Sequence, residues 1–202
     1  MRIAVVTESF LPAVNGVTNS VCRILEHFAA RGHSALVVTP GPGPTEYAGH
    51  RVVAVPGVAL PGYRSFVLGL PTARLEHLLA DFGPDVVHLA SPVSLGAAGG
   101  AAARRLGVPS IAVFQTDVAG FARRYGVRGA DRAIWAWLRH VHRQADRTLV
   151  AGAAAADRRP QAGRAVPVVG DNRLDARAAQ RAPRWRTPTA GPVPPHKNLV
   201  SA

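Results

Sequence analysis

Three short stretches of this chain combine residue types that bind or move charge, and each lies at or beyond the carboxyl end of an apolar run of strand length. The first is Asn15-Gly16-Val17-Thr18, reached from Ile3–Thr7 through Glu8-Ser9-Phe10-Leu11-Pro12-Ala13-Val14. Asn-Gly is a turn pair that tolerates positive φ, and Thr18 or Asn19 can cap a helix that follows. A glycine before a helix N-terminus leaves backbone N–H groups open, a geometry that binds phosphate. The same residues also serve as a plain strand–turn–helix connection, because they do not form a G-x-G-x-x-G loop. The second stretch, Pro84-Asp85-Val86-Val87-His88-Leu89-Ala90-Ser91-Pro92, puts His88 at the carboxyl end of a strand. A histidine there is either a proton carrier or a packed, hydrogen-bonded ring. The third, Val113-Phe114-Gln115-Thr116-Asp117, brings Gln115, Thr116 and Asp117 to the same sheet edge. Asp117 could orient a hydroxyl or act as a base, or it could cap the next helix.

The elements that must position these residues are legible along the first 150 positions. Strands are predicted at Ile3–Thr7, Ala35–Thr39, Arg51–Val55, Asp85–Leu89, Pro109–Phe114 and Arg147–Val150. Helices are predicted at Thr18–Arg31, Thr72–Asp81, Leu95–Leu106 and Asp131–Ala145, where apolar residues recur at helical spacing. In the last of these, Ile134, Trp135, Leu138 and Val141 form the inward face. Gly32 stands where a helix-terminating glycine is expected, and Gly83-Pro84 ends the second helix. Strands lacking polar alternation and separated by helices imply a mostly parallel sheet covered on both faces. The predicted fold is a doubly wound α/β domain, with ligands at the carboxyl ends of the strands near the switch in strand order.

Residues 151–202 differ in character. They hold seven prolines, nine Lys and Arg, and one aromatic, Trp185. With no helix or strand period and few large aliphatics, they cannot bury enough apolar surface to offset their ordering entropy. We expect a disordered tail. The whole chain has 202 residues and a formal charge of +12, with 48% hydrophobic residues, enough for a core. Half of that charge belongs to the tail, so anionic lipid, nucleic acid or phosphorylated ligands are open as partners. Nucleic-acid recognition finds no motif in support. No uninterrupted apolar run is long enough to cross a bilayer, and the amino terminus lacks a signal-peptide pattern. The expected compartment is the cytoplasm. The single cysteine, Cys22, excludes an internal disulfide and reads as a packed thiol.

Together these segments resemble the family-4 glycosyltransferases of GT-B fold, and among them the actinobacterial GDP-mannose-dependent mannosyltransferases. The run Glu8–Ser20 looks like the family's first loop. Arg31-Gly32-His33, Pro84–His88, Phe114–Asp117, Trp135–Arg139 and Ala145–Leu149 follow in the family's order. The resemblance implies an acceptor-side Rossmann-like domain over residues 1–150, acting on a lipid or glycan acceptor. It implies a nucleotide-sugar donor, GDP-mannose, retention of anomeric configuration and no metal. Gly16, with Asn15, Val17 and Thr18, matches the loop that approaches the donor diphosphate. Gln115-Thr116-Asp117 matches the segment facing the transferred sugar, where many relatives carry histidine.

After Val150 the resemblance weakens. No glutamate follows Glu76, so the family's carboxylate pair near the donor sugar is missing. Residues 151–202 read as translation in a shifted frame, although Pro195-His196-Lys197-Asn198 is similar to the stretch around the donor-binding lysine, which would make Lys197 its counterpart. The expectation is a truncated retaining mannosyltransferase that is inactive alone and could pair with a separate carboxyl-terminal half. The alternatives are a non-enzymatic nucleotide- or phosphate-binding module, and phosphate binding through the basic tail. A lipid acceptor would bring the protein to the membrane surface. Arg123, Arg124 and Arg128, with Phe121 and Tyr125, are the candidates for that contact.

Overall fold

The computed structural model describes residues 1–60, 63–114 and 131–150. The first strand, β1 (Arg2–Val6), enters helix α1 (Gly16–Ala30) and returns as β2 (Ser34–Pro40). A short β3 (Glu46–Tyr47) and β4 (His50–Val55) follow, then the pair β5 (Gly57–Leu60) and β6 (Tyr63–Gly69). Helix α2 (Ala73–Phe82) leads to β7 (Val86–Leu89), α3 (Leu95–Arg105) and β8 (Ser110–Phe114). Helix α4 (Asp131–Gln144) and β9 (Arg147–Val150) complete the described elements.

Seven strands form one sheet in the order β3-β4-β2-β1-β7-β8-β9, parallel except for β3, which runs antiparallel to β4. This is the expected doubly wound architecture. β1 lies in the centre, with Val5 level with Val37 of β2 on one side and His88 of β7 on the other. Both of its faces are buried, which explains why Ile3, Ala4, Val5 and Val6 show no polar alternation. On one face Ile3, Val5, Val37 and Val52 pack with Val21 and Leu25 of α1. On the other, Ala4, Val6, Val38, Val87 and Leu89 pack with Leu75 and Leu79 of α2 and Leu95 of α3. Burying a leucine such as Leu25 or Leu79 stabilises the fold by roughly 1.5–3 kcal/mol.

Helix ends follow the sequence signals closely. Gly32 adopts φ +67° just beyond α1, with its N–H bonded to Ala29 O at 3.0 Å and that of His33 bonded to Phe28 O at 2.9 Å. These two bonds make a Schellman end, which a left-handed glycine allows without strain. Gly83 (φ +57°) closes α2 in the same backbone region. The α4 face is set by Leu138, Val141 and His142, all buried, while Ile134 and Trp135 are half-buried.

The start of α1 differs from expectation. Asn15, not Thr18 or Asn19, is its N-cap, in extended backbone with φ −155°. Neither Asn15 nor Gly16 has positive φ. The β5–β6 hairpin was also not anticipated, although Pro61-Gly62 between two apolar runs is a turn signal. Among the described residues no helix is long and apolar enough to cross a membrane.

Candidate functional site

From β1 the chain steps one way across the sheet to β2 and β4, and from β7 it steps the other way to β8 and β9. The strand order therefore switches between β1 and β7, and the crevice at their carboxyl ends is where this architecture takes ligands. Two loops meet there. One is Thr7–Asn15, and the other is Ala90–Ser94.

Their polar side chains form a connected set. The Thr7 hydroxyl donates to Ser9 O at 2.9 Å and lies 3.4 Å from the Ser91 hydroxyl. Asn15 Nδ2 donates to Ser9 Oγ at 2.6 Å, and Ser9 Oγ is 3.2 Å from Thr18 Oγ1. The other end of the Asn15 carboxamide, Oδ1, accepts from Thr18 N at 3.0 Å. Asn15 thus fixes the first turn of α1 with both of its polar atoms. Thr18 is fully buried and its hydroxyl is held inside this set, so its part is to shape the loop.

The N–H groups of Gly16 and Val17 belong to the first helical turn and have no intrahelical acceptor. A Cβ built on Gly16 would meet nothing within 4 Å. Glycine is therefore required at this position neither by backbone conformation nor by packing among the described residues. What it provides is an exposed backbone at a helix N-terminus, where partial positive charge favours an anion.

Glu8 is the residue that sequence reasoning missed. It is buried and spans three segments. Its carboxylate accepts from Gly69 N and from Ser94 N, each at 2.7 Å, and from Leu95 N. Ser94 Oγ in turn donates to Gly69 O at 2.8 Å. Glu8 therefore caps α3, for which Ser94 makes no side-chain cap bond, and ties the hairpin to the crevice. Burial pushes its carboxyl above the usual range, against the opposing pull of these backbone donors. The one signal in the sequence was a polar triplet, Thr7-Glu8-Ser9, placed directly after an apolar strand.

Close packing also fixes the second loop. A Cβ on Gly96 would lie 2.3 Å from Ser91 O, a backbone atom that cannot turn away. Gly96→Ala is expected to destabilise the protein by about 1–3 kcal/mol from overpacking, less up to about 1 kcal/mol of regained helix propensity. Urea denaturation midpoints of the two proteins check this.

His88 lies on β7 between Val5 and Ile111 in register, one residue before the strand's end. Its ring is half-buried, and burial lowers its pKa to about 4, so it is neutral at pH 7. It takes no part in the contacts that join Asn15, Ser9, Thr7 and Ser91. Gln115, Thr116, Asp117 and Lys197 lie outside the described residues, as do Arg123, Arg124 and Arg128. Among the described residues no group of three His, Cys, Asp or Glu is placed to hold a metal.

Comparison with known proteins gives a consistent result. The family model described as Glycosyltransferase Family 4 matches residues 14–164. The chain is 54% identical over 161 residues to a GDP-mannose-dependent alpha-mannosyltransferase of Mycolicibacterium smegmatis, covering 77% of this chain and 43% of that protein. It is 47% identical over 162 residues to a protein of the same description from Corynebacterium glutamicum, covering 78% of this chain and 39% of the other. Identity to the sulfoquinovosyl transferase SQD2 of Arabidopsis thaliana is 32% over 156 residues, covering 76% of this chain and 31% of the relative. The chain thus spans less than half the length of the curated relatives it matches.

Proposed function

The chain belongs to glycosyltransferase family 4, and we propose that it supplies the acceptor-side half of a retaining α-mannosyltransferase that uses GDP-mannose. The observation that carries this reading is the 54% identity to a GDP-mannose-dependent alpha-mannosyltransferase, beside a family match over residues 14–164 that takes in the open Gly16 backbone. In this reading the Gly16 and Val17 amides receive the donor diphosphate at the N-terminus of α1. Asn15 and Thr18 hold that turn in place. Gln115, Thr116 and Asp117 face the transferred sugar, with Asp117 orienting or deprotonating the acceptor hydroxyl. His88 supports the same edge as a neutral ring. Lys197 would add positive charge at the diphosphate. The acceptor is a lipid or glycan, and a lipid acceptor would bring the protein to a membrane surface. No metal is required.

Transfer depends on donor and acceptor being held together, and positioning supplies much of the rate. The matched relatives are more than twice as long as the matched region, so we expect the 202-residue chain to transfer no mannose unaided. The test is a chimera joining residues 1–150 to the remaining carboxyl-terminal part of the Mycolicibacterium smegmatis relative. With radiolabelled GDP-mannose and a mycobacterial lipid extract, the chimera is expected to form labelled product and the 202-residue chain none. A folded chimera that stays inactive while the intact relative works would sink the proposal, as would transfer from UDP-glucose in place of GDP-mannose.

A further inference from the structure

Trp137 stands on α4 with 46% of its surface exposed, although it is among the largest apolar side chains of the described region. Scattered exposed apolar residues are ordinary. Trp137 differs from them in where it is held and how firmly. Its indole Nε1 donates to Val93 O at 3.0 Å. Val93 belongs to the Ala90–Ser94 loop, its own N–H is bonded to Ser91 O at 2.8 Å, and Ser91 is the residue facing Thr7 across the switch point. One turn further along α4, His140 stacks against the indole with ring centroids 5.8 Å apart and planes 27° from parallel. His140 is itself hydrogen-bonded to Gln144.

These contacts have two consequences. With its N–H bonded and the His140 ring stacked against it, the Trp137 ring is held in place and is still 46% exposed. The contacts also run in sequence from Asn15 through Ser9, Thr7 and Ser91 to Val93. The set of contacts that starts at Asn15, beside Gly16, therefore ends at Trp137. If the donor diphosphate lies at Gly16, the end marked by Trp137 is left for the other substrate.

We propose that Trp137 is an acceptor-binding platform, and that its exposed ring stacks on the C–H face of a hexopyranose of the acceptor. An aromatic face carries the negative part of the ring quadrupole, and the axial C–H bonds on one side of a pyranose present a flat, weakly positive patch that matches it. The fixed orientation lowers the ordering cost of that contact. The proposal rests on the glycosyltransferase reading and adds to it the side chain and the chemical class of ligand at the acceptor end.

Saturation-transfer NMR on the 202-residue chain with octyl β-D-glucopyranoside, whose axial H1, H3 and H5 share one face, tests it. Transfer to the pyranose ring protons is expected, and in Trp137→Leu it should fall about fivefold or more, the fold-change of one aromatic stacking contact. Trp137→Phe keeps an aromatic face but loses the bond to Val93 O, so it should retain a substantial part of the transfer. Equal loss in the two variants would mean that Trp137 acts only by anchoring the loop, which overturns the platform. Transfer confined to the octyl protons, or none in the wild type, overturns it as well. GDP added to the same sample reports on the donor end through the amides of Gly16 and Val17. Donor shifts without ring-proton transfer would sink the platform alone. Absence of both would sink the reading on which it rests.

Discussion

Replacing Glu8 by alanine is expected to lower the stability of the domain by about 3 kcal/mol or more, since three backbone donors each lose a partner worth roughly 1–3 kcal/mol when left unsatisfied in a buried setting. Those donors are Gly69 N, Ser94 N and Leu95 N. They come from two segments far from Glu8 in sequence, the end of β6 and the start of α3, so the loss should spread through the crevice. Thermal and urea unfolding measure the size of the effect. Hydrogen exchange should show faster opening at Gly69 and Leu95 than in the sheet centre. Glu8→Gln keeps one acceptor but turns a carboxamide nitrogen toward donors, so it should fall between wild type and alanine. The pH dependence has a definite sign. Burial raises the Glu8 pKa in the folded state above its unfolded value, so the folded chain holds that proton more tightly. Its contribution to stability is then greatest below the unfolded pKa, near 4.5, and declines as the pH rises through the folded value. The stability gap between wild type and Glu8→Gln should narrow with rising pH across that window. A gap that widened would show that the backbone donors outweigh burial.

The second large effect concerns Gly16 and should separate binding from folding. A side chain at this position meets nothing in the described structure. Gly16→Val should therefore leave stability within about 0.5 kcal/mol of wild type, as for an ordinary surface substitution. It should block the approach of a diphosphate to the first-turn amides. Each charge-assisted hydrogen bond lost there is worth about 1.5–3 kcal/mol, which raises KM for GDP-mannose in the chimera by roughly tenfold or more. If Gly16→Val were unfolded, the glycine would be structural. If it were stable and fully active, the diphosphate would lie elsewhere.

Much of this architecture was legible because its signals are local. Val21 and Leu25, or Leu75 and Leu79, recur at helical spacing within one element, and runs such as Ala35–Thr39 lack polar alternation because both faces of a central strand are covered. Gly32 and Gly83 were read as helix ends for a stereochemical reason that acts over two residues. The hairpin was harder, because it follows β4 with no helix between and its strands pair only with each other, outside the alternation of strand and helix. At the site, the loop Asn15–Thr18 was found but its roles were assigned differently. The spacing allowed Thr18 to cap a helix, whereas the structure buries Thr18 and gives the cap to Asn15. Which of several nearby polar residues caps a helix depends on where the preceding loop is pinned. Ser9 pins it here, its hydroxyl contacting the side chains of both Asn15 and Thr18. Glu8 was beyond reach for a stronger reason: its partners stand 61, 86 and 87 residues away, and no local pattern encodes them. The same holds for Trp137, whose periodicity places it on a helix but not beside Val93.

The most direct test of the account is an amide-resolved titration of the isotopically labelled 202-residue chain with GDP. With the donor diphosphate received at the α1 N-terminus, shifts should concentrate at Gly16, Val17 and Thr18 and saturate in the millimolar range, with Gly16→Val abolishing them. Shifts that leave these three amides unmoved at saturating GDP, or that persist unchanged in Gly16→Val, would contradict it.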